Sequence, residues 1–131
     1  MINIMIVDDD HFTTQLTNIL ISNTNATVNT TEMENGLVAI NYLKKNQLNQ
    51  SILPDIILLD INMPEMDGWE FMKEYEEIFS SLQKQSNIYM YSSSISDMDI
   101  KFANDNRLVK EFISKPIAME KLITMIGCMD S

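Results

Sequence analysis

The chain has 131 residues, 45% of them hydrophobic and 21% charged, and a formal net charge of -10 from 9 Lys and Arg against 19 Asp and Glu. That size and composition suit one globular domain with a core of its own. The acidity, with its few cations scattered, excludes unaided binding to nucleic acid or to an anionic membrane surface, which both need clustered Lys or Arg.

The first apolar run, Ile2 to Val7, stops at Asp8-Asp9-Asp10, so it reads as a first strand over Met1 to Val7 and not as a signal peptide. Phe12, Leu16, Ile19 and Leu20 then recur at helical spacing from His11, with Asp10 placed to cap the helix start. Asn23 to Asn25 is a turn. Ala26 to Thr31 is β-branched but mostly polar, which suits a sheet edge. Asn35-Gly36 marks a loop; Leu37, Ile40, Tyr42 and Leu43 then suggest a second helix that ends in the polar stretch Lys44 to Ser51.

The most informative stretch is Pro54 to Gly68. Ile56-Ile57-Leu58-Leu59 is an unbroken apolar run, as in a strand buried on both faces of a parallel sheet, and it ends on a carboxylate, Asp60. Asn62, Pro64 and Asp67-Gly68 form the turn that follows. A third helix is predicted from about Asp67 to Leu82, with Phe71, Met72, Tyr75, Ile78, Phe79 and Leu82 as its apolar positions. Ser80 to Asn87 reads as a polar connection. Ile88 to Tyr91 is a fourth strand, followed by Ser92-Ser93-Ser94. Asp97 to Asn106 is a weak fourth helix, and Val109 to Ile113 a short edge-like strand ended by Lys115-Pro116. Ala118 to Met129 is a final amphipathic helix, carrying Met119, Leu122, Ile123 and Ile126. No run is long enough to span a bilayer. The lone cysteine, Cys128, excludes an internal disulfide and fits a reducing cytoplasm. With nothing basic beside it, it reads as a small apolar filler on the last helix.

Five alternations of strand and helix predict an α/β fold with a doubly wound parallel sheet. Right-handed crossovers and weak edge strands favour the order 2-1-3-4-5, whose topological switch lies between strands one and three. Asp8-Asp9 and Asp60 end those two strands and would face each other. Like charges at that separation either raise a pKa or hold a cation between them, and hard oxygen donors with open positions suit Mg²⁺. Ser92 after strand four adds a hydroxyl, and Lys115 after strand five adds an ammonium. A metal site, a nucleophilic carboxylate, a hydroxyl donor and a lysine are the groups that phosphoryl transfer needs.

The segments MIVDDDHF, ENGLVAI, PDIILLDINMPEMDGWEF, YSSS and FISKP follow one another in this order. On them the chain resembles, over nearly its whole length, the receiver domain of two-component response regulators, with its flavodoxin-like fold. The resemblance implies that Asp60 accepts a phosphoryl group from a phosphohistidine, on a sensor histidine kinase or a histidine phosphotransfer protein. It implies that Asp9 and Asp60 bind Mg²⁺, that Asp8 acts mainly through water, and that Asn62 gives its backbone carbonyl. Ser92, with Ser93 as second choice, would bond one phosphoryl oxygen and Lys115 another. Phe112 occupies the family's switch position on strand five. A cis Lys115-Pro116 bond is also implied. Ser stands at 92 where Thr is commoner, which keeps the hydroxyl and loses the methyl that restricts its rotamer.

On this reading residues 1–131 form a single receiver domain without an output domain. It is cytoplasmic, a phosphoacceptor and not an enzyme, and a monomer or weak phosphorylation-dependent dimer. Output goes through protein contacts on the face of the fourth helix, fifth strand and fifth helix, where Met90, Met98, Met119 and Met125 are expected, or through onward phosphotransfer. His11 reads as a solvated helix-start residue and Trp69 as a packing residue on the third helix. Three alternatives stay open. A haloacid-dehalogenase-type phosphatase uses similar groups, but with its nucleophile on the first strand in a DxDxT setting. A flavodoxin-like FMN carrier needs a hydroxyl- and amide-lined loop where three aspartates stand here. The third is a receiver-like binding module that is not phosphorylated.

Overall fold

The computed structural model describes residues 1–93 and 96–129. Strands β1 (Ile2–Val7), β2 (Val28–Met33), β3 (Ile56–Asp60), β4 (Asn87–Ser92) and β5 (Val109–Ser114) alternate with helices α1 (His11–Ser22), α2 (Gly36–Lys45), α3 (Gly68–Ile78), α4 (Asp97–Asp105) and α5 (Met119–Met129). All strand pairs are parallel, and the order is β2-β1-β3-β4-β5, as predicted. β3 is central and buried at every residue, whereas β2 and β5 mix exposed and covered positions, as edge strands do.

Strand alternation divides the core between the two faces of the sheet. Met5, Val7, Ile57, Leu59 and Met90 pack against Ala39, Ile40 and Leu43 of α2 and Phe71, Met72 and Tyr75 of α3. Ile4, Ile6, Ile56, Leu58, Tyr89, Tyr91 and Ile113 pack beneath Ile21 of α1 and Leu122, Met125 and Ile126 of α5. The four aliphatic side chains of β3 together account for roughly 6–12 kcal/mol of transfer free energy. Among the described residues no helix is long and apolar enough to cross a membrane.

Local chemistry sets the helix starts. The Asp10 side chain accepts from the Phe12 and Thr13 amides, as expected, and Asn35 caps α2. Asp67 with Glu70, and Ser96 with Asp99, form reciprocal capping boxes at α3 and α4.

Several sequence-based expectations need correction. The inward face of α1 is Thr14, Thr17 and Ile21, while Phe12 is 76% and Ile19 57% exposed. Both sets have helical spacing, and the rotation of α1 about its axis turns the threonine set toward the sheet. The third helix ends at Ile78. A 3-10 turn over Phe79–Ser81 follows, and Leu82 is buried in extended backbone. β2 runs two residues later than predicted, because its register pairs Ile2 with Val28 and Val7 with Met33. Met90 and Met125 are buried, so they belong to the core and not to a partner face; Met98 is exposed. Cys128 is exposed on α5 and fills no gap. Ser94 lies outside the described residues.

Candidate functional site

The carboxyl ends of β1, β3, β4 and β5 meet at one rim of the sheet. Counting by two along each strand explains which side chains converge there. Ile4 and Ile6 lead to Asp8, Ile56 and Leu58 to Asp60, Tyr89 to Tyr91, and Ile113 to Lys115, all on the face shared with α1 and α5. The expected carboxylates do come together. Asp8, Asp9 and Asp60 each offer an oxygen within 4.8 Å of the others; Asp8 and Asp60 are buried and Asp9 is exposed. Lys115 Nζ lies 2.9 Å from Asp8 Oδ2 and 3.4 Å from Asp60 Oδ1.

Asp8 is tied on both oxygens. Its Oδ1 accepts from the Asp10 amide at 2.9 Å, and its Oδ2 accepts from the Tyr91 hydroxyl at 2.8 Å as well as from Lys115. The Lys115 ammonium also stands 4.6 Å from the centroid of the Tyr91 ring, within range of a cation–π contact. Burial, and then the charge of Asp8, push the Tyr91 phenol far above its usual range, so it keeps its proton and donates.

One lysine faces three carboxylates, and the imbalance appears at Asp60. Burial first, then the charge of Asp8, push its carboxyl up to about 6, with Lys115 pulling the other way. Three hard oxygen donors, one of them resisting ionisation, are a donor set that fits Mg²⁺. Asp8, Asp9 and Asp60 are the residues that would hold it.

The remaining predicted residues fall around this cluster. Ser92 ends β4, is buried, and accepts the Lys115 amide on its carbonyl at 2.9 Å. Ser93 is exposed and shares a groove with Asp10, Phe12 and Lys115. Asn62 is exposed in the loop after β3. Phe112 is half-buried on β5, paired in register with Met90. The Lys115-Pro116 bond is cis, as the resemblance implied. His11 is exposed at the start of α1. Trp69 does more than pack on α3: its Nε1 donates to Asp99 at 3.1 Å and its ring meets Phe102 edge-on at 5.5 Å, tying α3 to α4.

The loop between β3 and α3 is held by close backbone approach. The Gly68 amide donates to the Ile61 carbonyl at 2.8 Å, and a Cβ at Gly68 would stand 2.6 Å from the Asp60 carbonyl oxygen. Only a residue without a side chain lets α3 start so close to the end of β3. Glu65 turns the loop at a positive φ of 69°.

Sequence reasoning missed Tyr91. The alternation that places Tyr89 in the core beneath α1 and α5 puts Tyr91 next to Asp60, its register partner on β3 being Asp60 itself.

Comparison with known proteins agrees with this geometry. The profile of the response regulator receiver domain family matches residues 4–127. The chain is 32% identical over 125 residues to the chemotaxis protein CheY of Bacillus subtilis, a match covering 95% of this chain and 93% of that protein. It is 28% identical over 90 residues to a probable methanogenesis regulatory protein, FilR2, of Methanothrix harundinacea; here the match covers 69% of this chain and 56% of the relative. The crystal structure of a two-component response regulator from Cytophaga hutchinsonii superposes with a TM-score of 0.86 at 27% identity, covering 98% of this chain and 97% of that one. The acidic rim, the five-stranded order and the matched residues agree: this chain belongs to the response regulator receiver domain family of two-component signal transduction.

Proposed function

We propose that the domain is a phosphoryl-accepting switch in which the Asp60 carboxylate is the acceptor. The observation that carries this reading is the placement of Asp60: buried at the end of the central strand, within 4.8 Å of Asp8 and Asp9, and 3.4 Å from Lys115. The donor is a phosphohistidine on a histidine kinase or histidine phosphotransfer protein. An Asp60 oxygen bonds to phosphorus as the phosphorus–nitrogen bond breaks, and the imidazole keeps the electron pair.

When bound, Mg²⁺ neutralises charge on the phosphoryl oxygens and keeps Asp60 ionised. Lys115 exchanges Asp8 for a phosphoryl oxygen. The Ser92 hydroxyl bonds another, and Asn62 offers its carbonyl to the cation. Movement of Ser92 opens space that Phe112 fills, which changes the surface of α4, β5 and α5. Exposed Met98 and the ion pair of Lys121 with Glu111 lie on those elements and suit a protein partner.

Incubation with Mg²⁺ and acetyl phosphate should add one phosphoryl mass by intact mass spectrometry, and Asp60→Asn should add none. A wild-type chain that stays unmodified under saturating donor would defeat the reading and favour a binding module that is not phosphorylated.

A further inference from the structure

Tyr91 has no part in the chemistry derived so far, yet it touches the most buried acid of the site. The Asp8 side chain is fully covered, and among the described residues it accepts from the Asp10 amide, Tyr91 and Lys115. Two of them share Oδ2. One of those two, Lys115, is also the cation that a phosphoryl group draws away, whereas the other sits on a buried ring in a central strand and cannot follow.

We propose that Tyr91 is a positioning residue of the acidic rim: its hydroxyl shares with Lys115 the task of holding Asp8 Oδ2 for the cation and holds it alone once Lys115 leaves, and its ring face keeps the ammonium beside Asp60 until then. This rests on reading the three carboxylates as a cation site and Asp60 as the acceptor. A buried carboxylate oxygen stripped of its last donor is costly, so the side chain turns to find another partner. With Lys115 as sole donor to Oδ2, each departure would let Asp8 swing out of the cluster. The phenol is anchored by apolar neighbours on β3 and β5 and supplies a fixed second donor. It thereby separates two duties, orienting Asp8 and neutralising charge, that Lys115 would otherwise have to perform at once.

Tyr91→Phe removes the hydroxyl and keeps the ring. The readouts are Mg²⁺ affinity by calorimetry on the full chain without phosphoryl donor, and uptake from acetyl phosphate by intact mass. Each is taken with Asp8 and with Asp8→Asn. With Asp8 present, Tyr91→Phe should weaken Mg²⁺ binding about tenfold, ~1.4 kcal/mol, and slow uptake by a similar factor. In the Asp8→Asn background Tyr and Phe should differ by less than about twofold, because no charge remains to be held. Tyr91→Leu is a second variant, and it should bind Mg²⁺ no more tightly than Tyr91→Phe. Equal affinity of wild type and Tyr91→Phe would overturn the proposal, as would an equal loss in both backgrounds. If the wild type took up no phosphoryl group while Tyr91→Phe still weakened Mg²⁺ binding, the acceptor reading would fall and the role of Tyr91 would stand.

Discussion

Replacing Asp60 with asparagine removes a charge that the fold has to bury beside another of the same sign. In the folded chain the Asp60 carboxyl rises from 3.8 to about 6, chiefly through burial and then through Asp8. One pH unit is worth about 1.4 kcal/mol, so ionising the group at about pH 7.5 destabilises the metal-free fold by roughly 3 kcal/mol, reduced to about 2 by water at the open end of the strand. The sign follows from linkage. Between about pH 4 and pH 6 the folded chain binds a proton that the unfolded chain has already lost, so stability falls as pH rises through that window and stays low above it. Asparagine carries no such penalty. Urea unfolding in the presence of a chelator should therefore show Asp60→Asn more stable than wild type by about 2 kcal/mol at about pH 7.5, and by about half of that at about pH 5. An asparagine variant no more stable at the higher pH, or an advantage that does not change with pH, would refute the reasoning.

Other outcomes follow from the same geometry. Mg²⁺ affinity measured by calorimetry should fall about tenfold per unit as pH drops below about 6, because a proton competes for Asp60; a flat profile would count against Asp60 as a ligand. Gly68→Ala should destabilise by about 1–3 kcal/mol and weaken Mg²⁺ binding, since the new methyl meets backbone atoms of Asp60 and Ile61 that cannot step aside. Tyr75→Phe removes the acceptor of the Ser86 amide, 3.0 Å away, and should cost about 1 kcal/mol in urea unfolding while leaving Mg²⁺ affinity unchanged.

Much of this was legible in the sequence, for identifiable reasons. The strand order could be read because Ile56 to Leu59 is apolar without interruption between Pro54 and a turn, and because Ala26–Thr31 and Val109–Ile113 are too polar for a central place. The site could be read because each candidate residue ends a strand, and parallel strands share one carboxyl rim. Orientation about a helix axis was harder. Phe12, Leu16 and Ile19 recur at helical spacing just as Thr14, Thr17 and Ile21 do, and hydropathy does not tell which set faces the sheet. Met90 and Met125 were assigned to a surface because their elements reach it, although their own side chains point inward. Tyr91 escaped notice because an aromatic residue in an apolar strand reads as core, and its ring is indeed core; only its oxygen belongs to the chemistry.

All five strands run the same way, so the two ends of the sheet age differently. Carboxylates, lysine and glycine-tight loop crowd one end, where a single added methyl meets main chain. The opposite end holds the helix-to-strand connectors, among them the stretch around Leu48, which is 79% exposed. That end can take up insertions, labels or a fused neighbour with little effect on the acids. It is where such a chain can diversify its attachments while its chemistry stays put.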